Sequence, residues 1–330
     1  MSRYQSVFQP GLFAGKTVIV TGGGSGIGRC TAHELAALGA AVAIVGRKVD
    51  KLDAVRAEIE AAGGVCSTHA CDIREEDAVR ATIAQVLERH GRIDGLVNNA
   101  GGQFPSPLAA ISAKGWDAVV RNNLTGGFLM ARECVTQWMM SAPGRGVPRP
   151  PSEGAGNRLG GSPASVADTP AINGGVIVNV IADIWGGMPG MGHSGAARGG
   201  VLTFTETAAC EWGYAGVRVN AVAPGWIASS GIDTYDPQYR NLLRGLRTKV
   251  PLQRFGTEAE LSSAVVFLLS EASGFISGSV IRVDGGVPTA RHSWQLQPAE
   301  RSFPYNGFPQ YQPPVTFSDA AAPADLEDKS

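Results

Sequence analysis

The sequence predicts an α/β protein whose core is a single, doubly wound parallel sheet with helices on both faces. Two observations predict this fold class. Short apolar runs rich in β-branched residues, such as 17–20 and 41–45, alternate with longer stretches in which apolar residues recur at helical spacing. Several of the apolar runs end in Gly, Asn or Asp, which favour tight turns. Strands and helices alternating in this way form parallel sheets that bind ligands beyond the carboxyl ends of the strands.

The first strand, 17–20, leads into a glycine-rich turn and then into a helix over 29–38. The turn reads Thr21-Gly22-Gly23-Gly24-Ser25-Gly26-Ile27-Gly28. Glycine lets the backbone turn tightly and approach a ligand closely, and the free N–H groups of the new helix favour a phosphate. A flexible turn is the alternative, but the strand and helix on either side favour a dinucleotide site of the Rossmann type. The predicted cofactor-binding residues here are Gly22, Gly24, Ser25, Gly26, Ile27 and Gly28.

The second strand, 41–45, indicates which dinucleotide binds. NAD sites usually carry an acidic residue at the end of this strand, where it accepts a hydrogen bond from the ribose 2′-hydroxyl. Here Gly46 is followed by Arg47 and Lys48, and cations suit a 2′-phosphate. The alternative is that both cations are solvated charges at a helix start, but the helix dipole disfavours positive charge there. We therefore predict NADP(H), with Arg47 as the main phosphate ligand and Lys48 as the second.

The third and fourth strands supply further candidate cofactor contacts. After the strand over 65–70, Asp72 is placed to accept a hydrogen bond from the adenine amino group, with the backbone at Ile73 beside the ring. After the strand over 94–97, Asn98 is expected to brace the sheet, and small residues leave room for the cofactor. The predicted contacts after this strand are Asn99, Ala100 and Gly101.

The second half of the sequence continues the alternation. A long helix ends near Met140 and contains Asn123; strands follow over 175–181, 217–221 and 280–283. After the sixth strand the backbone is expected to pass close to a flat ring. The predicted cofactor contacts there are Pro224, Gly225 and Ile227.

The domain organisation follows from these elements. We predict one domain over 17–287, preceded by an irregular arm over 1–16 and followed by an irregular tail over 288–330. Residues 141–173 are dominated by Pro, Gly, Ser and Ala, so we expect a flexible insertion at the amino ends of the strands, away from the cofactor.

Two segments late in the predicted domain have separate expectations. Residues 228–256 contain short helical pieces that we expect to cover the substrate. Residues 258–269 are predicted to form an amphipathic helix.

The composition narrows the class of protein. The chain has 330 residues, of which 44% are hydrophobic, and a net charge of −1, so it gives no reason to expect nucleic acid or a membrane surface as partner. The five cysteines are scattered without a C-x-x-C pair, which predicts reduced structural thiols and no metal site. The first 16 residues lack the apolar core of a secretory signal, so we expect a cytoplasmic protein.

Seven motifs now stand in one order along 12–287, and together they resemble the short-chain dehydrogenase/reductase family. They are Thr21–Gly28, Cys71-Asp72-Ile73, Asn98–Gly101, Asn123-Leu124-Thr125-Gly126, Arg218-Val219-Asn220, Pro224-Gly225 and Val283-Asp284-Gly285-Gly286. The resemblance implies oxidoreductase activity with a nicotinamide cofactor, and a homotetramer packed through its long helices.

The catalytic residues of that family are replaced here. Members usually carry Asn, Ser, Tyr and Lys, where Tyr exchanges a proton with the substrate oxygen and Lys lowers the pKa of Tyr. By alignment to the family pattern, Asn123 keeps the first position, Ser194 stands at the Tyr position and Arg198 at the Lys position, while Ile181 replaces the usual Ser. The resemblance thus implies Asn123, Ser194 and Arg198 as candidate catalytic residues.

These replacements change the chemistry that the site supports. A serine hydroxyl is a weaker acid than a phenol, and Arg stays protonated and is a poor proton carrier. The guanidinium of Arg198 still has the donors to hold two ribose hydroxyls. Alcohol–ketone exchange by the usual route is therefore disfavoured, whereas reduction of a C=C conjugated to a thioester needs no strong acid at the oxygen.

A second, narrower resemblance supports the same reaction. Gly101-Gly102-Gln103-Phe104, Lys114-Gly115-Trp116 and above all His193–Arg198 resemble the peroxisomal trans-2-enoyl-CoA reductases and their bacterial relatives, with the 2,4-dienoyl-CoA reductases further away. The peroxisomal enzymes carry another Tyr and Lys further along the helix, where this chain has Leu202 and Glu206. The last three residues, 328–330, are not a peroxisomal address.

Three functions follow as hypotheses. The leading one is NADP(H)-dependent reduction of a small-molecule acyl thioester, in which Asn123 organises the helix and a water, Ser194 binds the thioester oxygen, Arg198 holds the ribose, and Tyr235 or Tyr239 supplies a proton. The second is reduction of another carbonyl substrate. The third is an NADP-binding sensor or structural subunit without catalysis. For Ser194 and Arg198 themselves, the alternative to a role in the site is a helix cap and a surface charge.

Overall fold

A parallel sheet forms the centre of the computed structural model, which describes residues 3–141, 173–290, 295–299 and 301–317. The strands in these ranges are β1 Thr17–Thr21, β2 Ala41–Gly46, β3 Val65–Ala70, β4 Gly95–Asn98, β5 Gly175–Val180, β6 Val217–Pro224 and β7 Val280–Val283. They lie in the order β3-β2-β1-β4-β5-β6-β7, and every neighbouring pair is parallel. The order reverses between β1 and β4, where such sheets bind ligands at their carboxyl edge. The predicted fold class is confirmed.

Helices cover both faces of the sheet. They are α1 Gly26–Ala37, α2 Val49–Ala61, α3 Glu76–His90, α4 Ala113–Val120, α5 Gly126–Cys134, α6 Gly192–Trp212, α7 Pro237–Gly245 and α8 Glu258–Leu269. Two π-helical turns, Arg121–Thr125 and Val135–Met139, join α4 to α5 and extend α5, which produces the long predicted helix. None of the helices that the structure describes is long and apolar enough to cross a membrane.

Alternate strand residues enter two separate hydrophobic cores. On β1 and β2, Val18 and Ile44 pack with α1, α2 and α8, whereas Ile19 and Val45 pack with α3 and α5 on the opposite face. Because successive side chains of a strand point to opposite faces and both faces are covered, β1 and β2 carry apolar residues on both faces. This explains the continuous apolar runs in the sequence.

Helix α8 matches its predicted bounds but is not amphipathic in its surroundings. Eight of its 12 residues are buried. It packs against α1 on one side and against β5 and β6 on another, so little of its circumference faces solvent. The prediction of an amphipathic helix was wrong because two of its polar residues, Glu258 and Ser262, are buried as well and no residue of α8 is fully exposed.

Both ends of the described chain pack on the sheet domain. Tyr4 of the N-terminal arm and Phe308 of the tail form a buried cluster with Cys30 of α1 and Ala259 of α8. The two ends also bond to each other, since the N–H of Gln5 donates to the carbonyl of Gly307 at 2.7 Å.

The predicted insertion over 141–173 lies outside the described residues except at its ends. Ser141 and Asn173 are adjacent, because the N–H of Asn173 donates to the carbonyl of Ser141 at 3.2 Å. Both precede the amino end of β5, so the two ends lie at the sheet edge opposite the glycine-rich turn, as the order of elements predicts.

The packing of Phe308 gives a prediction about stability. Its side chain is 2% exposed, so Phe308→Ala should lower the free energy of unfolding by about 3 kcal/mol, through lost burial and a cavity. Denaturant unfolding measures this. The control is Phe303→Ala, because Phe303 belongs to the same segment but is 79% exposed and should change stability by no more than about 0.5 kcal/mol. Equal effects of the two substitutions would contradict the packing of the tail.

Candidate active site

A cavity of about 570 Å³ opens at the carboxyl edge of the sheet. Its floor is formed by the turns after β1, β2 and β4, and residues 229–232 and 234–235 with Leu243 form the wall on the other side. All but one of the predicted cofactor residues line it. They are Gly22, Gly24, Ser25, Gly26, Ile27, Arg47, Lys48, Asp72, Ile73, Asn99, Ala100, Gly101, Arg198, Pro224, Gly225 and Ile227.

The exception, Gly28, lies behind the turn rather than on the wall. A Cβ there would stand 2.4 Å from the carbonyl oxygen of Gly22, so only glycine lets α1 pack against the turn. Gly22 itself has φ +69° and would place a Cβ 2.8 Å from the side-chain amide of Asn99. The turn is thus a concave surface formed mainly by glycine backbone at the start of a helix, which fits the diphosphate of a dinucleotide.

Thr21 joins this turn to β4. Its hydroxyl oxygen accepts hydrogen bonds from the N–H groups of Asn99 and Ala100, both at 3.0 Å, and the Asn99 amide donates to the Thr21 carbonyl at 2.9 Å. Asn98 bonds away from the cavity, to the carbonyl of Gly127 and the side chain of Asn179. The prediction that Asn98 braces the sheet is confirmed.

Positive charge collects at the end of β2. Arg47, Lys48 and Lys51 line the cavity there, and none of the three forms an ion pair within the described ranges. The nearby carboxylate of Asp72 is bonded to Arg74, whose Nε lies 2.9 Å from Oδ1. The hydrogen bonds from Arg74 lower the pKa of Asp72 to about 2, so Asp72 is ionised at neutral pH but is held by Arg74.

Arg198 lies at the opposite end of the cavity from these cations. Its guanidinium is buried, donates to the carbonyl of Val180 at 2.6 Å and stands against Gly101, where a Cβ would lie 2.3 Å from Nη2. Burial lowers its pKa to about 10, so it remains protonated at neutral pH. Within the described parts of the chain no carboxylate forms an ion pair with Arg198, so its charge is not neutralised by the protein itself.

Asn123 lies beside Arg198 but is engaged with the backbone. In its π-helical turn, Asn123 donates through Nδ2 to the carbonyl of Gly102 at 2.8 Å and accepts through Oδ1 from the N–H of Gly102 at 2.9 Å. We expected Asn123 to organise the helix and a water. In the structure the amide of Asn123 holds the backbone after β4 next to Arg198. The role with a water stays a prediction.

Ser194 lies behind the wall of the cavity rather than on it. The residue is 1% exposed, and its N–H donates to Nδ1 of His193 at 2.9 Å. The other ring nitrogen, Nε2, is buried without a hydrogen bond, and the ring meets the edge of Phe104 at 4.5 Å. The three candidate catalytic residues therefore do not converge as one set: Arg198 lines the cavity, Asn123 supports it, and Ser194 is covered.

The two candidate tyrosines differ in position. Tyr235 lines the cavity, and its hydroxyl accepts a hydrogen bond from Nε2 of Gln103 at 3.2 Å. Tyr239 packs edge-on against Tyr235 at 5.1 Å and is not part of the wall. Burial raises the pKa of Tyr235, so its phenol stays protonated at neutral pH. The contact with Gln103 was not predicted, although Gln103 stands in a motif that the sequence singles out.

Glu258, at the start of α8, is a buried acid beside the glycine turn. It was not predicted from the sequence. Its carboxylate accepts the N–H of Ser230, and a Cβ on Gly26 would lie 3.7 Å from its Oε1. Burial raises its pKa to about 7, against a smaller lowering by Arg29. Nothing in the local sequence indicated this, because an acidic residue in the first turn of a helix is usually exposed.

Comparison with known proteins places this site in a family. The protein-family model described as "short chain dehydrogenase" matches residues 16–147, and the family model described as "Enoyl-(Acyl carrier protein) reductase" matches residues 165–288. A Bacillus subtilis (strain 168) protein named "Probable 2,4-dienoyl-CoA reductase [(2E)-enoyl-CoA-producing]" is 33% identical over 273 residues, which are 82% of this chain and 96% of the relative. The chain belongs to the short-chain dehydrogenase/reductase family. It is thus an oxidoreductase of a family that uses NAD or NADP.

Other members of the family similar to this chain are named for different substrates. Glucose 1-dehydrogenase of Gluconobacter oxydans (strain 621H) is 35% identical over 281 residues, 83% of this chain and 92% of the relative. The solved structure of the "citronellol catabolism dehydrogenase (AtuB)" of Pseudomonas aeruginosa PAO1 is 54% identical, covers 86% of this chain and 100% of that chain, and superposes with a TM-score of 0.70. Members of the family that are similar to this chain thus carry names for a dienoyl-CoA, a sugar and the catabolism of citronellol.

Glu258 gives a prediction about pH. Because its pKa is raised from 4.5 to about 7 on folding, the folded protein keeps a proton that the unfolded chain loses, and stability falls as pH rises through this window. This loss of stability is on the order of 2 kcal/mol. Glu258→Gln should remove it, so the free energy of unfolding of the variant should change less between pH 5 and pH 8 than that of the unsubstituted protein. Urea unfolding at several pH values measures it.

Glu260 provides the control in the same helix. Burial raises the pKa of Glu260, but the hydrogen bonds from Arg254 lower it by more, so that the net pKa is below its usual value. The stability that Glu260 contributes is therefore lost as pH falls below about 4.5, not as it rises. Glu260→Gln should therefore leave the slope between pH 5 and pH 8 unchanged. If Glu258→Gln also left that slope unchanged, the environment described for Glu258 would be wrong.

Proposed function

We propose that this chain is an NADP(H)-dependent reductase of the C=C bond in an enoyl thioester. One observation carries the proposal. Helix α6 carries the positions of the family's usual Tyr and Lys pair at the catalytic end of the cavity. Here it places the buried guanidinium of Arg198 there, without a carboxylate partner in the described chain, whereas Ser194 lies behind the cavity wall. Such a site stabilises negative charge on a substrate but offers no acidic hydroxyl from α6.

The choice of NADP is supported by the charges around the ribose end. Arg47, Lys48 and Lys51 line the cavity after β2, and Gly46 stands where an NAD-preferring site would carry an acid. The carboxylate of Asp72 interacts electrostatically with Arg47, but its hydrogen bonds go to Arg74 rather than to these cations. A 2′-phosphate would meet cations that have no ion-pair partner in the described chain.

The residues of the catalytic end have separate roles in the proposal. When bound, the reduced nicotinamide supplies a hydride for the β carbon of the substrate. Negative charge then develops on the thioester oxygen, and we assign its stabilisation and the binding of ribose hydroxyls to the donors of Arg198. Asn123 fixes the backbone of Gly102 beside it. Ser194, one turn before Arg198 on α6, lies behind the wall, and the proposal gives it no contact with the substrate.

Tyr235 is the proposed source of the proton for the α carbon. It is the tyrosine of the pair that lines the cavity, and its raised pKa keeps the phenol protonated at neutral pH. Gln103 donates to the phenol oxygen and so leaves the phenol proton free to point into the cavity.

The names of relatives support a thioester but also raise a second candidate. A relative named for 2,4-dienoyl-CoA reduction favours an enoyl-CoA, whereas the 54% identical structure is named for citronellol catabolism. Citronellol is a branched acyclic terpenoid alcohol, so the second candidate is oxidation of such an alcohol. The loss of the Tyr and Lys pair argues against that reaction, but the branched skeleton is a reason to test branched acyl chains.

The cofactor assignment predicts the effect of one substitution. Arg47→Ala should weaken NADPH binding by about 10- to 100-fold, because a charge-assisted contact to the 2′-phosphate is lost, and should leave NADH binding unchanged. Fluorescence titration measures both affinities. Lys114→Ala is the control, because Lys114 is exposed and does not line the cavity. An equal loss for NADH and NADPH would contradict the assignment.

The reaction itself predicts NADPH oxidation with trans-2-enoyl-CoA substrates, measured by loss of absorbance. Straight-chain and 3-methyl-branched enoyl-CoAs form the panel, and citronellol with NADP⁺ tests the second candidate. Arg198→Ala should lower kcat/KM by about 100-fold or more, as expected for loss of a charge-stabilising donor.

The tyrosines supply a matched pair for the same assay. Tyr235→Phe should lower kcat by about 100-fold, whereas Tyr239→Phe should have little effect, since only Tyr235 reaches the cavity. Tight NADPH binding without turnover of any enoyl-CoA would overturn the proposed reaction, and turnover of citronellol alone would favour the second candidate.

A further inference from the structure

Residues 301–317 form a segment that we call the C-terminal strap. It lies beyond residue 288, where the second family match ends. The strap runs along residues 228–256, which we call the covering segment because several of its residues form one wall of the cavity. Contacts with the strap occur at separate positions between Ala228 and Phe255 of the covering segment.

The most concentrated contact is at Asp233. Its carboxylate accepts three hydrogen bonds from the strap: from the N–H of Val315 at 2.9 Å, from the N–H of Thr316 at 3.0 Å, and from the hydroxyl of Thr316 at 2.7 Å. Although partial burial opposes it, these bonds lower the pKa of Asp233, so the carboxylate is ionised when it accepts them. Hydrogen bonds to a charged acceptor are stronger than those between neutral groups.

Further contacts hold the two segments together on either side of Asp233. Arg244 of α7 donates through Nε to the carbonyl of Thr316 at 2.6 Å. The ring of Phe317 stacks on Phe255 at 4.3 Å. The hydroxyl of Tyr311 donates to the carbonyl of Ala228 at 3.0 Å.

The strap is itself fixed to the sheet domain. Phe308 is buried against α1 and α8, and the N–H of Tyr305 donates to Glu260 of α8 at 3.2 Å. At Gly307 the strap passes the backbone of the N-terminal arm so closely that a Cβ would lie 2.0 Å from the carbonyl oxygen of Gln5. The strap thus links the covering segment to the sheet domain.

Asp233 stands between residues that face the cavity. Ile232, Thr234 and Tyr235 all line it, so a bond that fixes Asp233 also fixes the backbone from which these side chains project. Short helical pieces with few buried residues open easily unless they are held by contacts elsewhere. Within 230–234 only Ile232 is buried, and within α7 only Leu243 is.

We propose that Asp233 and Thr316 are positioning residues, through which the strap holds the covering segment against the substrate and keeps Tyr235 at the reacting end of the cavity. The role of Tyr235 in this proposal rests on the proposed function. The holding of the covering segment does not, and the two parts are tested separately.

Hydrogen–deuterium exchange of the full chain saturated with NADPH tests the holding of the covering segment. Amides of 229–245 should exchange about tenfold faster in Asp233→Ala and in Thr316→Val, because bonds to a charged group are lost, while Thr316→Ser should restore slow exchange. Gly307→Ala should produce the same increase from a distance by displacing the strap. Gly213→Ala is the control, because a Cβ at Gly213 meets nothing within 4 Å.

Unchanged exchange of 229–245 in Asp233→Ala and Gly307→Ala would overturn the proposal, whatever the activity. Faster exchange over the whole chain would overturn it as well, since the variants would then act by general destabilisation. Faster exchange confined to 229–245 would support it.

Kinetics of enoyl-CoA reduction test the positioning of Tyr235. Thr316→Val should lower kcat by about tenfold with a smaller change in KM, and Thr316→Ser should restore kcat. An unchanged kcat with faster exchange would overturn the positioning role alone. If the unsubstituted protein turned over no enoyl-CoA, the proposed function would fail, while the exchange result would still decide whether the strap holds the covering segment.

Discussion

The close approach of α1 to the turn after β1 is the constraint on which the cavity depends. Side chains are excluded at both ends of the contact, because a Cβ on Gly28 would stand 2.4 Å from the Gly22 oxygen and one on Gly22 would stand 2.8 Å from Asn99. Thr21 bonds to the next strand at the same point. The amino end of α1, the turn and the end of β4 therefore form one rigid surface, and the cavity exists because no side chain can fill it.

Arg198 is the feature that distinguishes this cavity from an ordinary nucleotide cleft. A cation without a carboxylate partner is costly to bury, and a single carbonyl bond, to Val180, offsets only part of that cost. The remaining donors face Gly101 and the cavity, where polar oxygens of a ligand would complete the hydrogen bonds. In an enzyme such a destabilised donor is useful, because its interaction strengthens when negative charge develops beside it.

The sequence was sufficient for the fold and for the positions along the chain that form the cavity. Strand periodicity and glycine turns are local signals, so the sheet and residues such as Gly22, Asp72 and Gly225 could be placed without a structure. Two sets of contacts could not be placed, because each joins residues that are far apart in the sequence. Asn123 bonds to Gly102, 21 residues away, and the strap's bonds to Asp233 span 82 and 83 residues. The burial of Ser194 could not be placed either, because it depends on how α6 packs against the rest of the fold.

Glu258 brings the turn, the covering segment and the strap to one point. Its carboxyl group lies under Gly26, accepts the N–H of Ser230 and interacts electrostatically with Tyr311, whose hydroxyl bonds to Ala228. A diphosphate held by the turn at Gly26 would place negative charge beside this group, and like charges disfavour ionisation. The protonated, neutral carboxyl group of Glu258 is therefore the form compatible with a bound dinucleotide. Burial already raises the pKa of Glu258 to about 7, so it favours this form in the protein without ligand.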